Sequence, residues 1–425
     1  MGSDQHFARV KRNADLTPFF KIVLPFLAGY YLSYVYRAVN AVLGPTLARE
    51  FHLSATELGF LTGVYFFSFG LFQIPLGLLL DRFGPRRVNG TLLVLAAAGS
   101  LGFALSQTFE GLVLSRALIG LGVSACLMGT IQAFVLWFPP ERTGTMIALA
   151  YSMGGLGAIT ASSPLDAALR YFDWRQIFIA LSVATLLLTA IFALWVPEHA
   201  RKGTPPALRE QARGLGEIVR DGAFWRVAIA IGTNQCAVVS LFTLWMTAWL
   251  RDVAGYDRAS AANGLFWAAL ALIAGYFFFG RLGDARARRG LSPLPLFVAG
   301  VAASVAMLGL LASGITTGAV LIWSAFVFFG TGATLAHSIA TRRFPREMAG
   351  RVNTALNTFT FMGIFLGQWA TGAVLNRLPP TATGYDPRGY AYALGALALI
   401  QAAGLAWLWA GRRAVLTPRV AVPAG

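Results

Sequence analysis

Arg37 is the residue of this 425-residue chain whose type and position most directly imply chemistry. It lies inside an apolar run, where an arginine costs about 3 kcal/mol on membrane-insertion scales. Tyr30 and Tyr34 precede it by seven and three residues, so on a helix the three side chains share one face. A permanently protonated guanidinium flanked by hydroxyls suits a carboxylate or a phosphate. The spacing predicts an anion-binding site. The alternative is a structural arginine that bonds backbone carbonyls or snorkels outward.

Other polar and aromatic side chains inside apolar runs are candidates for contacting the same ligand. Each of them taken alone is more often an interhelical hydrogen bond or a packing contact. Beside Arg37, Tyr30 and Tyr34, the candidates for substrate contact are Tyr65, Gln132, Tyr151, Asn234, Gln235 and Asn357.

The composition places these residues in a membrane protein. Hydrophobic residues make up 56% of the chain, charged residues only 12%, and the mean hydropathy is +0.63. The net charge of +16 falls in short clusters between apolar runs, not in the basic stripe typical of nucleic-acid binding. The two cysteines lie in apolar runs, which excludes a disulfide framework and a Cys-rich zinc module. We expect the lipid bilayer as a partner, no nucleic acid and no metal.

Twelve apolar stretches have about the 20 residues that a membrane-spanning helix needs. The predicted spans are 22–46, 57–80, 88–107, 111–137, 144–168, 175–196, 225–250, 260–281, 293–313, 317–340, 351–375 and 388–410. A cytoplasmic N-terminus puts 24 basic residues on the cytoplasmic side and seven on the other. The positive-inside rule therefore predicts an all-α integral membrane protein of 12 helices with both termini in the cytoplasm.

The chain also repeats itself. Residues 77–84 (GLLLDRFG) have an echo at 280–284 (GRLGD), offset by 203, and residues 138–144 have one at 344–350, offset by 206. Two parallel halves of six helices are a transporter architecture with the substrate site at their interface. The domains we expect are a cytoplasmic segment at 1–21, six-helix bundles at 22–196 and 225–410, a cytoplasmic linker at 197–224 and a cytoplasmic tail at 411–425.

Three motifs carry a family resemblance. Residues 77–87 (GLLLDRFGPRR) resemble the loop 2–3 signature of the major facilitator superfamily, Gly-x-Leu-x-Asp-Arg-x-Gly-Arg-Arg, with Pro85 in place of one basic residue. Residues 116–122 (RALIGLG) resemble the Arg-x-x-x-Gly-x-Gly of its fourth helix, and residues 173–175 resemble the segment entering its sixth. The resemblance covers essentially the whole chain. It implies a secondary transporter that works by alternating access and is not an enzyme.

The loop 2–3 motif implies a gate. Gly77 allows close helix approach, Asp81 offers a carboxylate to a neighbouring helix N-terminus, and Arg82 and Arg86 make charge contacts on the cytoplasmic side. Gly84 and Asp284 complete the gating candidates. A solvated loop that obeys the positive-inside rule is the alternative. It explains the arginines but not the Gly–Asp spacing or its repeat.

The first helix narrows the substrate. Residues 29–37 (GYYLSYVYR), followed by Pro45, are similar to the first helix of the organophosphate/phosphate antiporters and anion/cation symporters, where this arginine contacts the anion. The seventh span has no second arginine, and Tyr151 stands where organophosphate carriers place a histidine. The likeness thus implies a small organic anion of the carboxylate type. Drug or metabolite efflux by proton antiport, or organophosphate/anion exchange, is the alternative.

Proton coupling is expected, with H⁺ as the coupling ion and no other cofactor. The family counterpart of Arg116 takes part in proton coupling, and Asp166 and His337 are titratable groups toward the ends of spans. None of the 18 acidic residues falls in the middle of a predicted span. Substrate-driven exchange or uniport is the alternative.

Other classes of protein fit less well. The four histidines form no His-x-x-His or Glu-x-x-His set, which argues against an enzyme. The repeat and the gate motif disfavour a channel or a receptor. The Ala-, Leu-, Gly- and Arg-rich composition is typical of a bacterium, which predicts the inner membrane. We expect the protein to be a monomer.

Overall fold

The computed structural model describes residues 19–198, 208–345, 348–381 and 384–417, and this part of the chain is helical without a strand. Most of the predicted N-terminal segment, residues 199–207 of the linker and residues 418–425 of the tail lie outside the described residues. The first half below means residues 19–198, and the second half means residues 208–417.

Ten helices of the described chain are long and apolar enough to cross a membrane, or eleven if one bent pair counts as a single span. The helices of the first half are α1 (Phe20–Ala38), α2 (Asn40–Glu50), α3 (Ala55–Leu105), α4 (Phe109–Trp137), α5 (Met146–Ala168) and α6 (Trp174–Leu194). The second half has α7 (Leu208–Val219), α8 (Gly222–Asp252), α9 (Arg258–Arg288), α10 (Leu294–Ala312), α11 (Ala319–Thr341), α12 (Ala349–Leu375), α13 (Pro387–Ala410) and α14 (Arg412–Leu416).

The twelve predicted spans differ from these helices in two places. The first predicted span, 22–46, is bent by 43° between α1 and α2. The second and third predicted spans are joined in α3, whose 51 residues would reach about 76 Å if straight, against about 30 Å of bilayer core. Gly84, at φ 77° and ψ 163°, interrupts α3 in a conformation that is essentially confined to glycine. The predicted loop is therefore reduced to a joint at one residue.

The two parts of α3, before and after Gly84, both pack against α4. Tyr65, before the joint, lies against Gly120 of α4, and Ala96, after it, lies against Gly122. Because Gly120 and Gly122 are neighbours on α4, Tyr65 and Ala96 lie beside the same part of α4, and the chain must reverse between them. The two parts of α3 are thus antiparallel.

A seam of small residues joins the first half to the second. Gly59, Gly63 and Gly70 of α3 face α12 so closely that an added side chain would collide with it. A Cβ at Gly70, for example, would lie 2.7 Å from the Cβ of Phe361. Small residues permit this close backbone approach between membrane helices, where dispersion contacts hold the pair together.

The helices end at two faces of the molecule. We call the face with residues 50–55, 168–174 and 252–258 the Glu50 end, and the face with residues 84–87, 194–198 and 341–345 the Arg86 end. At the Glu50 end, Trp174 Nε1 donates to Glu50 Oε2 at 2.7 Å, and Arg175 pairs with the same carboxylate. These contacts fix the start of α6 against the end of α2.

An ion pair at the Arg86 end connects three elements of the second half. Asp221 caps α8 by accepting from the backbone N–H groups of Ala223 and Phe224, at 2.8 and 2.9 Å. Arg343, just after α11, donates its Nε to Asp221 Oδ1 at 2.9 Å, and its Nη1 bonds the carbonyl of Ala414 in α14 at 2.8 Å. Burial by itself raises the pKa of Asp221, but these hydrogen bonds outweigh it and hold the pKa below its ordinary value.

Replacing Gly120 by alanine tests the packing between α3 and α4. A Cβ there meets the backbone carbonyl of Tyr65, which no side-chain rotation can relieve. Overpacking of this kind costs about 1–3 kcal/mol, so Gly120→Ala should lower the melting temperature of the purified protein by several degrees. The matched control is Gly395→Ala in α13, where a Cβ meets nothing within 4 Å. An unchanged melting temperature in Gly120→Ala would contradict the close approach.

Replacing Asp221 by asparagine tests the ion pair at the Arg86 end. A lowered pKa means that the carboxylate stabilises the fold above the unfolded-state value near pH 4 and that this contribution disappears as the pH falls further. Asp221→Asn should therefore melt a few degrees below the parent at pH 7, and the difference should shrink at about pH 3. Melting curves of both proteins between pH 7 and pH 3 measure it. A difference that does not depend on pH would contradict the assignment.

Candidate functional site

Arg37 lies at the junction of the two halves. It is the second-last residue of α1, next to the bend between α1 and α2, and so lies near the middle of this bent pair of helices. The residue is only 8% exposed. Its guanidinium carbon lies 4.5 Å from the ring centroid of Tyr34 and 5.4 Å from those of Phe69 and Phe361. Phe361 belongs to α12, so the second half supplies part of the aromatic surround of this cation.

The guanidinium of Arg37 has unused hydrogen-bonding capacity. Its Nε atom is buried and has no hydrogen-bond partner among the described residues. A small cavity of about 20 Å³, room for roughly one water molecule, opens beside it between the halves. The cavity is lined by Tyr34, Arg37 and Ala38 of α1, by Val238, Val239, Phe242 and Thr243 of α8, and by Leu272 and Tyr276 of α9.

Four tyrosines surround this region. The ring centroid of Tyr30 lies 5.1 Å from that of Tyr34 and 6.3 Å from that of Tyr151, which in turn lies 5.8 Å from that of Tyr276. The structure thus brings the predicted Tyr30, Tyr34 and Tyr151 together beside Arg37. Tyr276, from the second half, was missed by the sequence reasoning. The internal repeat, with its offset of 203 residues, aligns Tyr276 with Gln73, another polar residue inside a predicted span. This alignment is the signal in the sequence that points to Tyr276.

Arg116 is a second buried arginine behind the cavity. Its Nη1 donates to the backbone carbonyl of Tyr36 at 3.0 Å, while its Nε and Nη2 have no partner among the described residues. Tyr65 lies between the two arginines, with its ring centroid 5.1 Å from the Arg116 guanidinium carbon and its hydroxyl donating to the carbonyl of Ser33 at 3.1 Å. Tyr65 therefore packs between the two arginines and does not line the cavity beside Arg37.

Four predicted substrate contacts lie away from this cavity. Gln132, Asn234, Gln235 and Asn357 are not among the residues that line it. Asn234 is fully buried, and neither its amide oxygen nor its amide nitrogen has a hydrogen-bond partner in the described chain. Gln235 and Asn357 are half-buried. In this conformation the structure does not bring these amides to Arg37.

Arg86, a predicted gating residue, makes its contacts inside the first half. Its Nε donates to the carbonyl of Phe192 at 3.0 Å and its Nη2 to that of Ala193 at 2.5 Å. Glu198 lies 3.7 Å from Arg86 and 2.6 Å from Arg87. A guanidinium on the last carbonyls of α6 is favourable, because the C-terminal end of a helix carries partial negative charge.

The other gating candidates lie near the same end. Gly77 faces α12, where an added Cβ would lie 3.9 Å from Thr354 Oγ1. Asp81 is half-buried, whereas Arg82 and Asp284 are exposed. Asp284 forms no ion pair with a described residue. Of these candidates, Gly77 lies directly at the seam between the halves.

Asp166 and His337, the titratable coupling candidates, both have partners. Arg258 of the second half donates its Nε to Asp166 Oδ1 at 2.6 Å, and Arg170 lies 3.8 Å from the other oxygen of this buried carboxylate. Asp166 therefore joins the halves by an ion pair at the Glu50 end. His337 Nδ1 lies 3.1 Å from Asn353 Oδ1 and links α11 to α12.

Acidic side chains are confined to the ends of the described spans. Every Asp and Glu in them lies within four residues of a helix end or of Gly84. Arg37 and Arg116 therefore have no carboxylate partner in the described interior. No group of three or more His, Cys, Asp or Glu residues that could hold a metal ion occurs in the described part of the chain.

Comparisons with known proteins agree on one family. The uncharacterized transporter YybO of Bacillus subtilis is 25% identical over 77% of this chain and 81% of its own length. The probable galactarate/D-glucarate transporter GudP of Bacillus subtilis is 24% identical over 77% of this chain and 79% of its own. A bacterial homologue of the human lysosomal transporter Spinster, crystallised in an inward-facing and occupied conformation, shares the fold with a TM-score of 0.74 at 16% identity, over 97% of this chain and 100% of that one.

The family assignment rests on a match over most of the chain. A family model described as the Major Facilitator Superfamily matches residues 26–368, which include α3, the two buried arginines and the seam with α12. The match agrees with the resemblance seen in residues 77–87 and 116–122. The chain is a multi-pass membrane protein that belongs to the major facilitator superfamily of transporters.

Proposed function

We propose that this protein is a secondary transporter of a small organic anion of the carboxylate type. The observation that carries the proposal is Arg37, a buried guanidinium between the halves with a free Nε, an adjoining cavity and no carboxylate partner in the described chain. The name of the relative GudP, a probable galactarate/D-glucarate transporter, supports a hydroxylated carboxylate as cargo.

The energetics of Arg37 favour an anionic ligand over a merely structural role. Aromatic faces at 4.5–5.8 Å offset part of the cost of burying the cation, at up to about 2 kcal/mol for a desolvated pair. A hydrogen bond to a charged group contributes roughly 1.5–3 kcal/mol, and a carboxylate would also supply the missing negative charge. The hydroxyls of Tyr34 and Tyr276 on the cavity wall can donate to the hydroxyl or carboxylate oxygens of such a cargo.

The topology we propose has twelve spans in two six-helix bundles. Counting α1 with α2 as one span and α3 as two gives the first bundle six spans, and α8 to α13 give the second bundle six, with α7 in the linker. We assign the Arg86 end to the cytoplasm of a bacterium and the Glu50 end to the outer side of its inner membrane, in accord with the positive-inside rule. Both termini are then cytoplasmic, and the protein works as a monomer.

Transport by alternating access requires the cavity to widen. A space of about 20 Å³ cannot hold a six-carbon acid, so the bundles must separate at one end to admit it. The proposed gate at the cytoplasmic end consists of the residues predicted from the sequence: Gly77, Asp81, Arg82, Gly84, Arg86 and Asp284. The Asp166–Arg258 pair closes the opposite end in the same scheme.

Replacing Arg37 by glutamine tests the cargo. The protein reconstituted in liposomes should take up labelled D-glucarate, and Arg37→Gln should raise the KM about 10- to 100-fold, because a charge-assisted hydrogen bond is lost. Arg37→Lys should fall between the two, since it keeps the charge without the planar fork. The matched control is Arg226→Gln, which removes a guanidinium that bonds the Trp407 carbonyl at the Arg86 end.

Two results would contradict an anion carrier. One is that the parent protein takes up none of the three anions glucarate, glucuronate and sulfoacetate. The other is transport of lipophilic cations or neutral drugs at equal rates by the parent and Arg37→Gln, which would favour the efflux alternative.

Proton coupling is part of the same proposal, and we assign it to His337. Histidine titrates near neutral pH, and His337 bonds Asn353 between α11 and α12. The buried Asp166 is already paired with Arg258. Arg116, whose buried Nε and Nη2 have no hydrogen-bond partner among the described residues, stays a second coupling candidate.

Replacing His337 by glutamine tests the coupling. Glucarate uptake into liposomes loaded with a pH-sensitive dye should acidify the lumen with the parent protein and not with His337→Gln. Exchange of labelled for unlabelled glucarate should persist in the variant, since exchange needs no net proton movement. His52→Asn, in the short turn at the Glu50 end where φ is 53°, is the control. Acidification that is unchanged in His337→Gln would refute the assignment of coupling to His337. No acidification with the parent protein would leave exchange or uniport.

A further inference from the structure

A second cavity, larger than the one beside Arg37, opens at the Glu50 end. It measures about 170 Å³ and lies where α2, α8 and α9 meet. Three arginines line it, one from each helix: Arg49, Arg251 and Arg258. The hydroxyl-bearing residues Thr46 and Thr247 also contribute to its wall. Both halves of the molecule therefore build this cavity.

The charge around this cavity is positive. Arg258 is paired with Asp166, with its Nε 2.6 Å from the carboxylate oxygen. Arg49 bonds only the backbone carbonyl of Pro45, at 3.3 Å, and neither Arg49 nor Arg251 forms an ion pair with a described residue.

The nearby carboxylates have other partners. Glu50 accepts from Trp174 Nε1 and pairs with Arg175. Asp252, next to Arg251 in the chain, accepts from the hydroxyl of Tyr390 at 2.7 Å and from the backbone N–H of Tyr385 at 3.2 Å. The charge of Arg251 also acts on Asp252, but among the described residues neither Arg49 nor Arg251 is held in an ion pair.

The two cavities are stacked along the same helices. On α8, Thr243 lines the inner cavity, and Thr247 and Arg251, one and two turns further on, line the outer one. On the first span, Arg37 and Ala38 line the inner cavity, and Ala41, Pro45 and Arg49 line the outer one. The cavities therefore lie on one route between the halves.

A polar contact lies between the two cavities. Thr247 Oγ1 donates to the backbone carbonyl of Ala41. Pro45 has no N–H, so the carbonyl four residues before it, that of Ala41, lacks its usual helical donor and is free to accept this bond. The contact joins α2 to α8 and separates the two cavities.

We propose that the cavity lined by Arg49, Arg251 and Arg258 is a second anion site, which binds an organic carboxylate before it reaches Arg37. The choice of a carboxylate rests on the proposed function, whereas the site itself rests on the cavity and its charges. A carboxylate bound by Arg49 and Arg251 also lies close enough to Arg258 to compete with Asp166 for it. Binding here thus weakens the ion pair that joins the halves at the Glu50 end.

A cysteine at Thr46 reports on this cavity. In a chain with Cys126→Ala and Cys236→Ala, Thr46→Cys supplies one thiol on the cavity wall. The purified protein in detergent is treated with an anionic sulfonatoethyl or a cationic trimethylammonioethyl methanethiosulfonate, and each rate is divided by that of a free thiol. The anionic reagent should be favoured, and its preference should fall about tenfold in Arg49→Gln/Arg251→Gln. Arg377→Gln, which removes an exposed arginine away from the cavity, should leave it unchanged.

Protection by D-glucarate separates this site from the one at Arg37. Glucarate should slow the modification of Thr46→Cys in the parent and equally in Arg37→Gln, and lose this effect in Arg49→Gln/Arg251→Gln. Protection that disappears in Arg37→Gln would overturn the proposal while supporting Arg37 as the cargo site. Equal normalised rates of the two reagents in the parent would overturn it even if the double variant failed to fold. Protection without transport in liposomes would keep the outer site and refute the proposed function.

Discussion

The structure depends on keeping positive charge inside the protein without negative charge beside it. Arg37 and Arg116 are buried, and the carboxylates of the described spans stay near the helix ends. A buried cation with no counter-ion is expensive in a low-dielectric interior, so every element near it must contribute partial compensation. Aromatic faces from α1, α3 and α12 surround Arg37, and the carbonyl of Tyr36 meets Arg116. In the proposed function, a bound anion supplies the negative charge that these groups lack.

The glycine seam and the cation belong to one arrangement. Phe361 can lie over Arg37 because α12 approaches α3 closely, and it approaches closely because Gly63 and Gly70 present no side chain. The seam therefore sets the distance between an aromatic ring of one half and a charge of the other. A change in the relative position of the halves would alter the surround of Arg37 first.

The sequence predicts what local patterns determine, and it misses what distant residues bring together. Apolar runs and the Tyr30–Tyr34–Arg37 spacing are local, and the structure retains both. The sequence predicts a loop where the structure has the joint at Gly84, because one residue in a glycine-specific conformation leaves no pattern of its own. Phe361 reaches the site through packing between the halves, which residue spacing does not encode, whereas the internal repeat offers a signal for Tyr276. The pairing of Asp166 with Arg258 spans 92 residues and has the same explanation.

The joint at Gly84 has a mechanical meaning. In a hairpin with a long flexible loop, the two helices can shift along each other. A joint of one residue, such as Gly84, does not allow the two parts of α3 to shift in this way. The first part of α3 packs closely against α12 at Gly59 and Gly70. The second part is bonded to α6: Ser182 donates to the Ala97 carbonyl, and Ser100 donates to the Phe178 carbonyl. A movement of α12 therefore moves both parts of α3 together and, with them, α6 on the far side of the first half.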